Sequence, residues 1–487
     1  MKKISYYLVA VSFLGITFFP SCSLDEEAKA IAAETFYNTK DECSSAVVAP
    51  IAKLKSAYSR NMHAMLEAYS DLIYGRGTYA NNSLYQGENT NDISRTNGLW
   101  GNYYGAIRDC NIAIHNIPNS TQLTDAEKAS YIGELRFYRA FAYYQIVRLW
   151  GDAPLRTDEN MEKWNVGKSS STDIYNFIIA DLLYAAQNAP SKPRVVGLPD
   201  LNMAKSLLAE VYLTTKDYTS AKKYAEEVIQ SGVYELVPVL KVRDFDNLFG
   251  ADVSGTKEEI FYLKTSRTNN SGWEYVMFVS HPKANIDGQK MHGAGGYYGM
   301  YTLVNNLAIA AWDNSDLRKK LNVLPFDYGE GSNTALLCKF YDPKAASTGG
   351  ANVNIPLIRY ADVLLTYAEA ATKADGAPSA DTMEKLNMIH RRAYGYPAKS
   401  ISPVDFKLSD YSTIDKFMEL LVKEEGYETF NEGKRWFFLK RLGIAKSKIK
   451  EVKGIDVADK HMLWMIPETE FNTNKSLSAE KDQNPGY

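Results

Sequence analysis

Apolar residues recur three and four positions apart over most of the chain, the spacing that gathers them on one face of an α-helix. Ala28 to Tyr58 keeps this rhythm with few breakers, and Asn38-Thr39-Lys40-Asp41 reads as a turn followed by a cap, so a helix pair is predicted to open the fold. The rhythm fails between Tyr69 and Trp100. Gly75 to Gly87 is rich in glycine, asparagine and tyrosine, the composition of an exposed loop. Helical spacing resumes from Trp100 to Asn116 and from Asp125 to Trp150, where Leu135, Tyr138, Phe141, Ala142, Gln145, Ile146 and Leu149 stay in step. Gly151 and Pro154 end that helix, one as a cap and one as a breaker. Thr172 is expected to cap a further helix through Ala186, with a loop over Pro190 to Pro199.

Within residues 202–236, Ala209, Tyr212, Ala221 and Val228 hold the small, aromatic, small and apolar positions of a tetratricopeptide-like helix pair turning at Lys216-Asp217-Tyr218. Ala140 with Tyr143, and Ala361, Leu365, Tyr367 and Ala370, repeat the theme out of tandem, which describes degenerate repeats with insertions. From Val237 to Pro356 the texture changes. Asn269-Asn270-Ser271-Gly272 and Gly293-Ala294-Gly295-Gly296 separate short apolar pieces such as Ile260-Phe261-Tyr262, so this stretch reads as a loop-rich insertion or second lobe, where binding residues concentrate. Helices are predicted again over Leu357 to Lys373, Asp381 to Ala393 and Ile414 to Leu442. The fold class is mainly α: a tetratricopeptide-like helical-repeat scaffold with an irregular ligand-binding lobe. The expected divisions are a leader over 1–21, a tether over 22–30, a helical region over 31–236, the loop-rich part over 237–356 and a second helical region over 357–487.

The first residues carry Lys2 and Lys3, an apolar stretch from Tyr6 to Phe19, then Pro20-Ser21-Cys22. That is a secretory leader too short to span a bilayer, and its cysteine sits where a lipoprotein signal peptidase cuts, making Cys22 the expected acylated first residue. Ser23-Leu24-Asp25-Glu26-Glu27 follows as an acidic tether of the kind found on surface-exposed lipoproteins.

Composition sharpens this. A formal charge of −3 on 487 residues, more negative once the leader lysines leave, provides no basic field for nucleic acid. Thirty-four tyrosines against 19 phenylalanines and 7 tryptophans suit wet interfaces and sugar faces, although helical cores also use tyrosine at their edges. Cys43, Cys110 and Cys338 are too dispersed for a disulfide scaffold or a CxxC zinc site; one pair has the option of bridging.

No catalytic pattern stands out. His281 and His292 lack the spacing of a helical metal pair, and Asp313, Asp316 and Arg318 read as a helix start, with the cap at Asn314-Ser315, rather than a cation site. Glu424, Glu425, Glu428 and Glu432 offer the carboxylates that glycoside hydrolysis requires, but they share one charged helical stretch with Lys423, Lys434 and Arg435, which favours internal ion pairing. Gly293-Ala294-Gly295-Gly296 lacks the strand and Lys-Ser/Thr of a phosphate loop and counts as flexible loop. No metal or cofactor is implied. There remain the aromatic, amide and guanidinium residues of two loops: Arg76, Tyr79, Asn81 and Tyr85 in the first, Trp273, Tyr275, Tyr297, Tyr298 and Tyr301 in the second. Sugars stack their CH faces on aromatic rings while Asn, Asp and Arg read the hydroxyls. Trp273 and Tyr298 are the expected stacking platforms, with Arg76 and Asn81 reading hydroxyls. The same aromatics are equally suited to pinning their own loops to the body.

Four stretches carry a family resemblance. Leu135 to Tyr144, running on to Gly151-Asp152-Ala153-Pro154-Leu155, resembles the "RA.yYf.lv..yGdvPl" helix of the SusD/RagB family of nutrient-binding lipoproteins. Ile355 to Ala370 resembles its "RyaEvlLiyAEA" segment with Asp362 in place of Glu; Asn387 to Ala393 its "lN.iR.RA"; and Lys423 to Arg441 its "ER..El..EG.Rw.dLkR", with Lys423-Glu424 for Glu-Arg and Phe438 for Asp. Ile466-Pro467 and Gln483 to Tyr487 also fit. The resemblance implies four tetratricopeptide-like units, an irregular ligand-bearing lobe, and a lid on a SusC-like TonB-dependent outer-membrane transporter that captures oligosaccharides and hands them over without cleaving them. The same architecture binding peptides, a surface glycoside hydrolase and a pure interaction scaffold are the competing readings.

Overall fold

Helix ends in this chain are written locally. In the computed structural model, which describes residues 36–487, Thr39 accepts a hydrogen bond from the Glu42 amide while the Glu42 carboxylate takes the Thr39 amide, and this capping box starts α1 (Lys40–Tyr58). The leader, Cys22 and the tether lie outside the described residues. Tyr37–Tyr487 forms one compact unit.

After α1 come α2 (Asn61–Ala68), the two-residue strand β1 (Tyr74–Gly75) and the short helix α3 (Ala80–Leu84). Helix α4 (Thr90–Asn116) begins ten residues before the predicted start, because Asn89 and Asp92 form a reciprocal cap inside the stretch that reads as loop. Helix α5 (Asp125–Trp150) has the predicted limits, capped by Thr124. Ser170 rather than Thr172 caps α6 (Ser171–Asn188): its hydroxyl takes the Asp173 amide. Helices α7 (Leu201–Thr214) and α8 (Tyr218–Gln230) are the predicted pair; Lys216 lies in their turn at φ +66°, Tyr212 and Tyr224 stack with planes 7° apart, and Ala221 is buried.

The loop-rich stretch holds β2 (Glu259–Leu263), the short helix α9 (Glu274–Val279), β3 (Met300–Leu303), α10 (Leu317–Asn322), β4 (Val323–Pro325) and β5 (Thr334–Leu337). An antiparallel sheet runs β1-β3-β5-β4. Residues 355–359, partly predicted as helix, form β6 (Ile355–Arg359) against β2. The terminal helices follow as α11 (Tyr360–Asp375), α12 (Ala380–Ala393), α13 (Ile414–Glu428) and α14 (Arg435–Arg441). The predicted continuous helix over 414–442 is therefore broken, with Asn431 at φ +62° and Gly433 at φ +71° in the gap. Cys43, Cys110 and Cys338 are buried free thiols. Among the described residues no helix is long and apolar enough to cross a membrane.

Beneath the loops lies a buried ion-pair lattice. Arg359 bonds Glu258, Glu428 and Glu432; Arg392 bonds Glu258 and Glu428; Arg318 reaches Asp316, Glu424 and Glu428; Lys339 meets Glu432; and Arg435 joins Asp71 to Glu425. The glutamates that invited an acid/base reading are thus enclosed and committed to arginines. Asp316, not Asn314-Ser315, caps α10, and the same carboxylate grips Arg318.

Candidate functional site

The two loops singled out by their aromatics meet through backbone pairing. Tyr74 of β1 stands opposite Tyr301 of β3 and Gly75 opposite Met300, and the Arg76 amide donates to the Gly299 carbonyl at 2.8 Å. Gly75 permits this turn because a Cβ there would lie 2.4 Å from the Tyr79 carbonyl oxygen. On the other side, the amides of Tyr297, Tyr298 and Gly299 donate to Met277, Ser280 and Phe278 carbonyls at 3.1, 2.9 and 2.8 Å. Gly296 fits only without a side chain, since its Cβ would stand 2.1 Å from the Ser280 carbonyl oxygen. The run 293–296 is consequently pinned backbone against backbone at its two ends, Gly293 and Gly296, not the loose loop its composition suggests.

Between the loops opens a depression of about 280 Å³ lined by Arg60, Arg76, Gly77, Thr78, Tyr79, Phe278, Tyr297 and Gly299. Three of the predicted residues, Arg76, Tyr79 and Tyr297, therefore share one site. Tyr297 presents its ring, 46 % exposed, with its hydroxyl 3.5 Å from Thr348 Oγ1. Tyr79 forms part of the floor rather than a platform: it is buried, its hydroxyl donates to Asn61 at 2.9 Å, and the Arg95 guanidinium lies 3.6 Å over its ring. Burial raises the Tyr79 hydroxyl pKa, opposed by the charges of Arg95 and Arg60.

An aromatic arc continues from the rim. Arg76 lies 4.4 Å over half-buried Tyr298; Tyr298 meets Tyr328 at 5.7 Å; Tyr328 meets Tyr301 at 5.7 Å; and Tyr301 stacks on Tyr74 at 5.5 Å with planes 25° apart. His281 packs against Tyr298 and Phe326, and burial, then the charges of Lys283 and Arg76, lower its pKa. It faces rings, not ligands, and among the described residues no cluster of His, Cys, Asp and Glu is arranged for a metal ion.

The structure corrects other expected positions. Trp273 has no exposed surface: its indole N–H donates to the Tyr58 carbonyl at 3.0 Å, and its ring packs on His63 and Phe340. Tyr275 is equally buried, its hydroxyl bonded to Asn431 Oδ1 at 2.6 Å. Tyr85 turns inward at φ +52°, bonds the Tyr69 carbonyl and packs against Trp436 and His461. These rings pin their loops to the body, where burying a whole aromatic side chain is favourable once its polar tip has found a partner. Asn81 is half-exposed on α3 and does not line the depression. Reading the sequence missed Arg60, Phe278, Tyr74, Tyr328 and Glu330. Tyr328-Gly329-Glu330-Gly331 carried a usable signal, an aromatic held in a glycine turn; Arg60, between α1 and α2, carried none.

A larger cavity of about 420 Å³ lies among the helices, with Tyr144, Arg148, Glu210, Leu365, Phe437 and Arg441 in its wall. Its charges are satisfied within the protein, Arg148 by Glu210 at 3.2 Å and Arg441 by Glu369 at 2.5 Å.

Residues 286–487 match the family model described as SusD family, and residues 29–213 match one described as starch-binding associating with outer membrane. The whole chain is 28 % identical to the whole of SusD-like protein P2 from Formosa agariphila. Over 75 % of its length it is 22 % identical to starch-binding protein SusD of Bacteroides thetaiotaomicron, covering 74 % of that protein. Among solved structures, a SusD homolog from Bacteroides thetaiotaomicron aligns with a TM-score of 0.78 at 19 % identity, over 94 % of this chain and 99 % of the other. Surface glycan-binding protein A from the same organism, in complex with laminarihexaose, aligns at 0.73 and 22 % identity, over 91 % and 99 %. At these identities the structural likeness speaks for the fold.

Proposed function

This chain belongs to the SusD/RagB family, and from that premise we propose that it captures oligosaccharides at the cell surface, without cleaving them, and delivers them to a SusC-like TonB-dependent transporter that it covers as a lid. The observation that carries this reading is the joining of two tyrosine-rich segments, 227 residues apart at Tyr74 and Tyr301 by their numbering, into one face with an open depression beside an aromatic arc. Such a face suits weak, reversible stacking with much of the ligand left in water, which is what capture followed by hand-over demands. The laminarihexaose held by a protein of the same fold supports a sugar ligand. Outer-membrane attachment through an acylated Cys22 is supported by the leader and by the description of the model matched over 29–213. Residues 237–356 would supply most of the aromatic arc and part of the depression, the first loop and Arg60 the rest, with Arg76 and Tyr297 both lining the depression; Tyr298 would act through the arc, and Asn81 at most from its edge.

The test is isothermal titration of the mature chain against plant, host and microbial oligosaccharides beside a peptide mixture. Saturable heat with one glycan, weakened roughly three- to tenfold by Tyr297→Ala as expected for loss of one aromatic contact, supports capture. Heat from peptides with silence toward every sugar overturns the glycan assignment.

A further inference from the structure

The charges around the depression carry the glycan reading one step further, to the chemical class of the sugar. Arg60 and Arg76 both line the depression, and no carboxylate or side-chain amide does. An arginine only donates hydrogen bonds, and of the three hydroxyls in the lining those of Thr78 and Tyr79 are already engaged with Arg95 and Asn61, so this lining offers more donors than the acceptors neutral hydroxyls also need.

Arg76 is pre-positioned. Its guanidinium lies over the Tyr298 ring, and among the described residues its one side-chain hydrogen bond runs from Nε to Glu330 at 3.2 Å. Both partners are exposed, 36 % and 52 %, and a surface pair of that kind is weak and readily exchanged. The two terminal nitrogens, the edge that grips an oxyanion with paired bonds, meet no acceptor among the described residues. Arg60 spends Nη1 on Glu274 at 2.8 Å and Nε on Asn61 at 3.5 Å, and its side chain also meets the Tyr79 hydroxyl, so it adds charge to the depression and Arg76 carries the open edge. Lys283 is exposed close by, and its charge together with that of Arg76 is felt at His281.

We propose that the oligosaccharide taken here is acidic, a uronic-acid or sulfated glycan whose carboxylate or sulfate accepts paired hydrogen bonds from Arg76 in place of Glu330, while a neighbouring ring lies on Tyr297.

The mature chain is titrated with three oligosaccharides of equal length: an oligogalacturonide, a sulfated galactan fragment and a neutral galactan fragment. At least one acidic ligand is expected to bind tenfold or more tightly than the neutral one and to weaken several-fold as sodium chloride is raised from about 50 to about 500 mM, as for partly exposed charges. Which acidic arm responds names the anion. Arg76→Gln is expected to remove about tenfold of that affinity with an unchanged thermal midpoint. Arg76→Lys should recover part of it, because the charge returns without the paired geometry, and Glu330→Gln should tighten binding. Equal or tighter binding of the neutral fragment, or indifference to Arg76→Gln, overturns the acidic assignment. If binding then still falls with Tyr297→Ala, glycan capture survives; if none of the three ligands binds, the acidic assignment falls and glycan capture is decided by the wider oligosaccharide panel.

Discussion

Trp273 fills its site completely, its indole N–H on the Tyr58 carbonyl and its ring wedged between His63 and Phe340. Trp273→Ala is expected to cost about 3–5 kcal/mol, as for other large-to-small core changes, seen as a lower urea midpoint at unchanged slope. Tyr297→Ala, at a ring that is 46 % exposed, is expected to shift stability by less than about 0.5 kcal/mol while weakening glycan binding. The two residues have similar polar and glycine-rich neighbours in the chain, Ser271-Gly272 before one and Gly295-Gly296 before the other, so nothing local separates them. The carbonyl that buries Trp273 arrives from position 58, and the ring that closes over it from position 340. Chemical type was legible in the sequence; exposure was not, because it is decided by contacts from far along the chain.

Elements were most legible where their signals are local. The α5 limits follow from Thr124 with Glu127 at one end and Gly151 at the other, and Thr124→Ala is expected to lower stability by about 1 kcal/mol in denaturant titration. Asn89-x-x-Asp92 was an equally good start signal, but the surrounding glycines and asparagines obscured it. The break between α13 and α14 was hidden for another reason: Glu428, Glu432 and Arg435 keep a helical spacing, whereas the interruption is imposed from α2. Glu67 accepts the Gly433 amide at 2.6 Å, and His63 Nε2 bonds the Asn431 carbonyl at 3.0 Å. Gly433 holds φ +71° with the His63 ring 3.2 Å from where a Cβ would stand. Gly433→Ala is therefore expected to cost about 1–2 kcal/mol from the left-handed backbone alone, measured as loss of unfolding free energy, with a larger loss unless the His63 ring gives way.

Across the whole molecule, the enclosed ion pairs set an acid limit. Burial would raise the Glu424 carboxyl, but Arg318 and His390 outweigh it and hold it down to about 2; Glu428, despite its burial, is held below the usual carboxylate range by Arg392, Arg359 and Arg318. Carboxylates lowered on folding contribute stability in full above their unfolded value of about 4.3, and that contribution disappears as pH falls toward 2. Glu67 has the opposite sign: burial lifts it to about 8 against the Gly433 amide and Lys339, so its contribution is complete at low pH and drains away as pH rises from about 4.5 to 8. Glu88 and Glu134, each raised by burial to about 7, act in the same direction, so urea unfolding across pH 3 to 8.5 is expected to show a steep loss on the acid side and a gentler decline on the alkaline side that Glu67→Gln lessens without touching the acid limb. The arc of rings shares none of these ion-paired residues and sits on three stretches of chain, around 74, 298–301 and 328, held together by the β1-β3-β5-β4 sheet. If glycans are taken at this face as proposed, recognition is portable: exchanging the residues around 76–79 and 297–301 between relatives is expected to redirect binding to another sugar while leaving intact the charged keystone that keeps the protein standing.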